Sequence, residues 1–134
     1  MLDQTNSDYK MRVAVIGSRS FNDYKALKER LDQFPVDVIV SGGARGADSL
    51  AERYAMEHNK ELLVFPADWD KFGKRAGFIR NKDIIDNCDF VIAFWDGSSN
   101  GTRHSLTYAS SIGKPLLVFV YSRDGAIVEY DFKS

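Results

Sequence analysis

The stretch MRVAVIG at residues 11–17 predicts the architecture of the chain. Its apolar and β-branched residues run without alternation and end in glycine, which is typical of a strand buried on both faces of a parallel sheet. Similar runs follow at VDVIVSGG (36–43), ELLVFP (61–66), DFVIAFW (89–95) and PLLVFVY (115–121). We therefore expect a mostly parallel sheet of about five strands.

Amphipathic helical segments separate these strands. Apolar residues recur at steps of three and four over 24–34 and 50–58, and further helices are expected up to about residue 87 and over 102–112. Residues 67–77 between them have the composition of a loop. Alternating strands and helices indicate an α/β class chain, a single Rossmann-like three-layer domain with helices on both faces of the sheet. We expect the strand order 3-2-1-4-5.

Length and charge limit the function classes. The 134 residues suit one domain, and 18 basic against 19 acidic residues leave a net charge of -1. This balance argues against sequence-independent nucleic-acid binding as the main activity, although a local basic patch stays open. We expect residues 1–10 to be a flexible leader, 11–121 to be the domain, and 122–134 to be a tail that forms either a short edge strand or coil.

Several other classes are disfavoured. No apolar run has the length of a membrane span, and the first residues lack the pattern of a signal peptide. Cys88 is the single cysteine, so no internal disulfide is available, and no Cys/His spacing resembles a zinc site. We therefore expect a cytoplasmic protein with no metal, no cofactor and no membrane partner.

Three loops are expected to meet where the strand order reverses, between strands 1 and 4, because ligands of open α/β sheets bind there at the carboxyl edge. Glycines in these loops permit close backbone approach, and the helix N-termini that follow favour an anion such as phosphate. Neither a P-loop nor a GxGxxG pattern is present, and glycine turns also occur in α/β proteins without a ligand site. The candidate binding residues are Gly17, Ser18, Arg19, Ser41, Gly42, Gly43, Ala44, Arg45, Gly46, Asp48, Asp96, Gly97, Asn100, Gly101 and Thr102.

The segment 68–82 adds basic and aromatic residues. Its five cations outnumber its two aspartates, giving a local balance of +3, and it also contains Trp69, Phe72 and Phe78. Cations beside aromatic rings can hold a phosphate and stack a base. Trp69, Phe72 or Trp95 is the candidate stacking residue and Arg80 the candidate cation; the alternative is a solvated basic face above core aromatics.

Four blocks of this sequence closely resemble the YspA/cpYpsA-related branch of the SLOG superfamily. They are VAVIGSRSF (13–21), SGGARGADSLAERYA (41–55), FPADWDKFGKRAGFIRN (65–81) and DFVIAFWDGSSNGT (89–102), followed by GKP (113–115). The resemblance covers about residues 11–121. It implies a Rossmann-like fold and a nucleotide or nucleotide-derived ligand. The superfamily includes the DNA-processing protein A family and the Lonely Guy phosphoribohydrolases.

Individual positions carry the resemblance further. Residues 41–48 resemble the SGxARGID loop of DNA-processing proteins, and Arg80 with Asn81 resembles their RN pair. Residues 100–102 resemble the end of the Lonely Guy PGGxGT loop, but Ser105 stands where those enzymes have a glutamate. Cleavage of an N-glycosidic bond needs a carboxylate near the anomeric carbon. Asp48 and Asp96 are the candidate catalytic replacements, and each is equally suited to capping a turn or helix.

The leading hypothesis is therefore binding of a nucleotide or nucleotide-derived small molecule in a glycine-rich phosphate cradle. The first alternative is a nucleoside-monophosphate N-glycosidase or phosphoribohydrolase, which the serine at position 105 disfavours. The second is single-stranded nucleic-acid binding, which the overall charge disfavours. Assembly into a homo-oligomer stays open, because relatives often assemble and aromatic residues make up 13% of the chain.

Overall fold

The apolar runs form five parallel strands, and a sixth strand joins them from the tail. The computed structural model describes residues 9–133, so residues 1–8 of the expected leader, and residue 134, lie outside the described residues. The sheet order is β3-β2-β1-β4-β5-β6, with β6 antiparallel to β5, which confirms the α/β class and the expected order of the first five strands. The strands are β1 (Arg12–Gly17), β2 (Val38–Ser41), β3 (Glu61–Val64), β4 (Phe90–Trp95), β5 (Leu116–Tyr121) and β6 (Ile127–Tyr130).

The helices cover both faces of this sheet and complete the three layers. Consecutive residues of a strand point to opposite faces, so Val13 and Val15 pack against the first two helices, while Ala14 and Ile16 pack against the last two long ones. Among residues 9–133 no helix is long and apolar enough to cross a membrane. The helices are α1 (Tyr24–Leu31), α2 (Ala47–Glu57), α3 (Trp69–Phe72), α4 (Ala76–Asp86) and α5 (Asn100–Ser111).

The segment expected as a loop at 67–77 is instead largely helical, so that prediction was wrong. Asp68 accepts a hydrogen bond from the backbone N–H of Lys71 at 3.1 Å and so caps the short helix α3. A 3₁₀ turn over Gly73–Arg75 then leads directly into α4. The helical path places Trp69 and Lys74 of this segment beside the loops at the carboxyl edge of the sheet.

Candidate functional site

The loops after β1, β2 and β4 meet at one point, as their position in the sheet predicts. The Ser18 N–H donates to the Phe94 carbonyl at 3.0 Å, which ties the first loop to β4. Gly46 precedes α2 with a φ of +77°, and a Cβ there would lie 2.3 Å from the Ser18 carbonyl oxygen. A side chain at Gly46 is therefore incompatible with the contact between the first and second loops.

A cleft of about 530 Å³ lies between these loops and the α3–α4 segment. The predicted binding residues divide into those that line it and those that do not. Those that line it are Gly17, Ser18, Arg19, Ala44, Asp48, Trp69, Arg80, Asn81, Asp96, Gly101 and Thr102. Those that are not among its lining residues are Ser41, Gly42, Gly43, Arg45, Gly46, Gly97 and Asn100.

Two of the residues outside the lining, Ser41 and Gly42, have structural roles in the loop after β2. The Ser41 hydroxyl is fully buried, donates to Glu52 at 3.0 Å and accepts from the Gly43 N–H at 3.2 Å. A Cβ at Gly42 would lie 2.7 Å from Nη1 of Arg80 and 3.0 Å from Oδ2 of Asp48. The absent side chain of Gly42 thus leaves room for a cation and a carboxyl that both face the cleft.

Arg80 is held in a fixed orientation on α4. Its Nη1 donates to the Gly42 carbonyl at 2.7 Å and its Nε donates to Oδ1 of Asn81 at 3.2 Å. Asn81 in turn donates from Nδ2 to the Gly101 carbonyl at 3.3 Å. Burial lowers the pKa of the guanidinium and the nearby Asp48 raises it, but an arginine stays charged in either case. No carboxylate of the described chain lies within salt-bridge distance of Arg80.

Asp48 lies in the first turn of α2 and is 8% exposed. Burial raises the pKa of its carboxyl to about 6, although the hydrogen bond from the Ala44 N–H, at 3.2 Å, and the charge of Arg80 act in the opposite direction. A carboxyl with this pKa exchanges its proton close to neutral pH. Asp48 can therefore act as an acid or a base, or accept hydrogen bonds from hydroxyl groups of a ligand.

Asp96 follows β4 and lies in a different environment. Its Oδ1 accepts hydrogen bonds from the N–H groups of Ser98, at 2.9 Å, and Ser99, at 2.7 Å. Partial burial raises the pKa of Asp96, but these hydrogen bonds together outweigh it, so the pKa is lowered overall. The carboxylate is thus ionised and engaged in shaping the loop before α5.

Three hydroxyl groups link the first loop to α5 at the base of the cleft. The Ser18 Oγ accepts from the Asp96 N–H at 3.0 Å and lies 2.9 Å from the Ser99 Oγ. The Ser99 hydroxyl donates to the Thr102 Oγ1 at 3.2 Å. Ser18 and Thr102 are both buried, at 3% and 6% exposure.

Two aromatic rings flank the opening of the cleft. Trp69 on α3 and Phe78 on α4 both line it and are about half exposed, at 54% and 48%. Trp95, by contrast, is buried, and its Nε1 donates to the Ser99 carbonyl at 3.1 Å. Phe72 is not among the lining residues. The expectation that Trp95 stacks on a ligand is therefore wrong, since β6 and its flanking residues cover its ring, with Tyr130 and Phe132 in edge contact.

Some lining residues were missed by the sequence reasoning. Gly77, Arg80, Asn81 and Ile84 follow helical steps of three and four, so the periodicity of α4 could have found Gly77 and Ile84. Lys74 lies within the basic segment but was not chosen as a site residue. The remaining lining residues not predicted are Ile16, Ser20, Phe78, Ser99 and Ser105.

Ser105 lies on α5 and lines the cleft. It is 3% exposed, and its hydroxyl donates to the Gly101 carbonyl at 3.3 Å within α5. Across residues 9–133 no group of three or more His, Cys, Asp or Glu side chains is arranged to hold a metal ion. Of the two carboxyl groups that line the cleft, Asp48 has the pKa nearer to neutral pH and is the candidate acid or base.

Two solved structures share the fold described above. DNA processing protein A from Streptococcus pneumoniae matches with a TM-score of 0.71 and 21% identity over 85% of this chain. Since 52% of that protein is covered, this chain spans about half of its length. The Helicobacter pylori DNA processing protein A, described for its single-stranded DNA binding mode, matches with a TM-score of 0.64 and 25% identity, covering 92% of this chain and 72% of that one.

Sequence comparison gives the closer relationships. The Gene 61 protein of Mycobacterium phage D29 is 40% identical in an alignment of 119 residues that covers 81% of this chain and 95% of that protein. The model of the YspA, cpYpsA-related SLOG family matches residues 11–72, from the residue before β1 to the end of α3. The chain therefore belongs to the YspA, cpYpsA-related SLOG family.

Proposed function

We propose that the cleft binds a nucleotide or a nucleotide-derived small molecule. The observation that carries this proposal is the joint presence of three features in one cleft. These are the fixed cation of Arg80, the N-terminus of α5, and the exposed rings of Trp69 and Phe78. A nucleotide has an anionic group, a sugar and a planar base. Arg80 and the N-terminus of α5 suit the anionic group, and the two rings suit the base.

The phosphate end of the ligand would lie against α5. This helix begins with Ser99 as its N-cap, which makes no side-chain cap hydrogen bond, and Gly101 and Thr102 line the cleft. The first N–H groups of a helix lack intrahelical partners and carry a partial positive charge. Arg80 approaches from α4 and adds a full charge, so the two together favour an anion.

The other end of the ligand would lie between α3 and α2. Trp69 and Phe78 offer ring faces for stacking, which is favourable for any base. The Asp48 carboxyl is an acceptor within the cleft and suits the hydroxyl groups of a sugar. This assignment makes Asp48 a binding residue first and gives Asp96 the role of holding the loop.

Thermal shift measurements test this proposal. A panel of nucleoside monophosphates, cyclic nucleotides and ADP-ribose is expected to raise the melting temperature of the wild-type chain, since a ligand of the folded state stabilises it. Arg80→Ala should remove that increase. Arg123→Ala is the matched control, because Arg123 is exposed in the turn between β5 and β6. An absence of any shift in the wild-type chain would contradict the proposal.

Single-stranded nucleic acid is the second candidate ligand. It is favoured by the exposed cations Lys71, Lys74 and Arg75 of the segment from α3 to α4. Of these, Lys74 lines the cleft together with Trp69 and Phe78. A similar fold occurs in the Helicobacter pylori protein that binds single-stranded DNA. Binding of an oligonucleotide should then weaken steeply with salt, and a Lys71→Ala/Lys74→Ala/Arg75→Ala variant should lower the salt dependence. No shift of an oligonucleotide at low salt would remove this candidate.

The N-glycosidase alternative depends on Asp48. Its pKa near neutral pH is suited to acid–base catalysis of glycosidic bond cleavage. Incubation of the wild-type chain with a nucleoside monophosphate should then release free base, and Asp48→Asn should abolish that release. Binding without release of base would leave the cleft a binding site and exclude this reaction for that substrate.

A further inference from the structure

We propose that His104 is a positioning residue for Phe78, whose ring it holds as the surface on which the base of the ligand stacks. This role rests on the proposed function, because it concerns the aromatic side of the same cleft. The Nδ1 atom of His104 is a buried polar atom without a partner among the described residues. Buried polar groups are nearly always hydrogen-bonded, so this exception needs a physical explanation.

The ring of His104 lies against the ring of Phe78 where α4 and α5 pack together. The two ring centroids are 4.4 Å apart, and the ring planes are tilted by 41°. Phe78 lines the cleft, while His104 is not among the lining residues. His104 therefore acts on a ligand only through Phe78.

The contact matters because Phe78 is about half exposed. An exposed side chain can change rotamer, and a ligand that stacks on it must then fix one rotamer at a cost in conformational entropy. A second aromatic ring in contact favours one orientation, since ring pairs are stabilising beyond the area that they bury. His104 thus presents the Phe78 ring to the base in one fixed orientation.

The support that His104 gives depends on its charge. An imidazolium carries a proton on both ring nitrogens, and a proton on the buried Nδ1 would meet no acceptor. Lys82 lies one turn after Phe78 on α4 and places a positive charge near His104, while Asp86 on the same helix accepts from the Tyr108 hydroxyl at 2.6 Å. Burial lowers the pKa of His104, and Lys82 lowers it further, so the ring that contacts Phe78 is neutral at pH 7.

Calorimetric titration with AMP and with ribose 5-phosphate tests this role, because only AMP carries a base. In His104→Ala, AMP affinity should fall about fivefold, as expected for loss of an aromatic pair, while the affinity for ribose 5-phosphate should not change. His104→Phe should retain AMP binding because it keeps a planar ring. His58→Ala is the matched control, since His58 also stacks on an aromatic ring, that of Tyr54 at 4.1 Å, and neither residue lines the cleft.

The dependence of binding on pH separates positioning from packing alone. The ratio of AMP affinity to ribose 5-phosphate affinity removes the titration of the phosphate and of Asp48, because both ligands experience them alike. In the wild-type chain this ratio should fall from about pH 7.5 to about pH 5 as His104 gains a proton. In His104→Phe, which has no proton to gain, it should stay constant. A ratio that is equally constant in both chains would overturn the inference.

A double-mutant cycle decides whether His104 acts through Phe78. If it does, the His104→Ala/Phe78→Ala variant should bind AMP no more weakly than Phe78→Ala alone. Losses that multiply, or a His104→Ala variant with wild-type affinity for AMP, would overturn the inference while leaving the proposed function intact. If the wild-type chain binds none of AMP, cyclic AMP and ADP-ribose, the proposed function itself fails, and the role of His104 fails with it.

Discussion

The first turn of α2 and the loop between β4 and α5 each place one aspartate on the same cleft, yet the two carboxyl groups differ. Asp48 is buried, and burial raises its pKa to about 6. Asp96 is more accessible and accepts two backbone N–H groups, which lower its pKa against the effect of partial burial. The surroundings, not the residue type, decide which carboxyl group is available for chemistry.

The two aspartates also differ in role, since one stabilises a loop and the other is available to a ligand. Asp96 is a part of the loop that it occupies, because its acceptor oxygen orders Ser98 and Ser99 before α5 begins. Asp48, in the first turn of α2, accepts a hydrogen bond from the Ala44 N–H in the preceding loop and still lines the cleft with Arg80. Removing Asp96 should therefore lower the stability of the fold, while removing Asp48 should change how that stability depends on pH and weaken binding.

The largest expected effect comes from forcing apart the loop after β1 and the loop that leads into α2. Gly46→Ala places a Cβ 2.3 Å from the Ser18 carbonyl oxygen at a positive φ, so we expect a loss of about 3 kcal/mol in the free energy of unfolding. Urea denaturation measures it. Gly101→Ala is the control, because no atom lies within 4 Å of its added Cβ, and it should be as stable as wild type or more so. Equal stability of the two variants would contradict this packing.

Asp48→Asn tests the more buried of the two carboxyl groups. A raised pKa means that the folded state favours the protonated carboxyl of Asp48. The contribution of this group to the free energy of unfolding is therefore complete below the ordinary pKa of 3.8 and is lost as the pH rises through about 6. Asparagine keeps an acceptor without the charge. The variant should be more stable than wild type at pH 7.5 by on the order of 2 kcal/mol, with the difference shrinking toward pH 4. Unfolding at both pH values measures it, and a variant less stable at pH 7.5 would contradict the assigned burial.

Asp96→Ala tests the loop between β4 and α5, where the stability should depend on pH in the opposite direction. Loss of the acceptor for Ser98 and Ser99 should cost about 1 kcal/mol at neutral pH, and Asp96→Asn should recover part of it. A lowered pKa gives stability that is present above the ordinary value of 3.8 and lost as the pH falls through the lower folded value. The gap between wild type and Asp96→Ala should therefore narrow in acid. A gap that widens in acid would refute the role of these hydrogen bonds.

The smallest expected effect comes from Asn81, which links Arg80 on α4 to the start of α5. Asn81 accepts from Arg80 and donates to the Gly101 carbonyl, so Asn81→Ala should lower stability by about 0.5 kcal/mol. The same substitution should change the free energy of AMP binding more than the free energy of unfolding, because Arg80 then loses one of its two hydrogen bonds. Asn22→Ala, at an exposed position in the loop before α1, is the control for both melting and titration. Unchanged AMP affinity in Asn81→Ala would show that Arg80 needs no such support.

Much of the fold could be predicted because its signals are local. The unbroken apolar runs of β1 and β4 identify central strands, and five of the six strands follow from such runs. The helix α3 was missed although Asp68 is a suitable N-cap, because the short segment around it has no long apolar period. The burial of Trp95 was not predictable in the same way, since the residues that cover it belong to the distant tail.

The amino-acid sequence by itself determined the fold class, the strand order and the three loops that meet at the cleft. Hydrophobic periodicity and turn residues are properties of neighbours along the chain, so they can be read directly. Only the tertiary structure decided which aspartate is buried, which tryptophan is exposed and how Ser18 reaches Asp96, which is 78 residues away. Burial, pKa and hydrogen bonding depend on the groups brought together across the sheet, and those groups are distant in sequence.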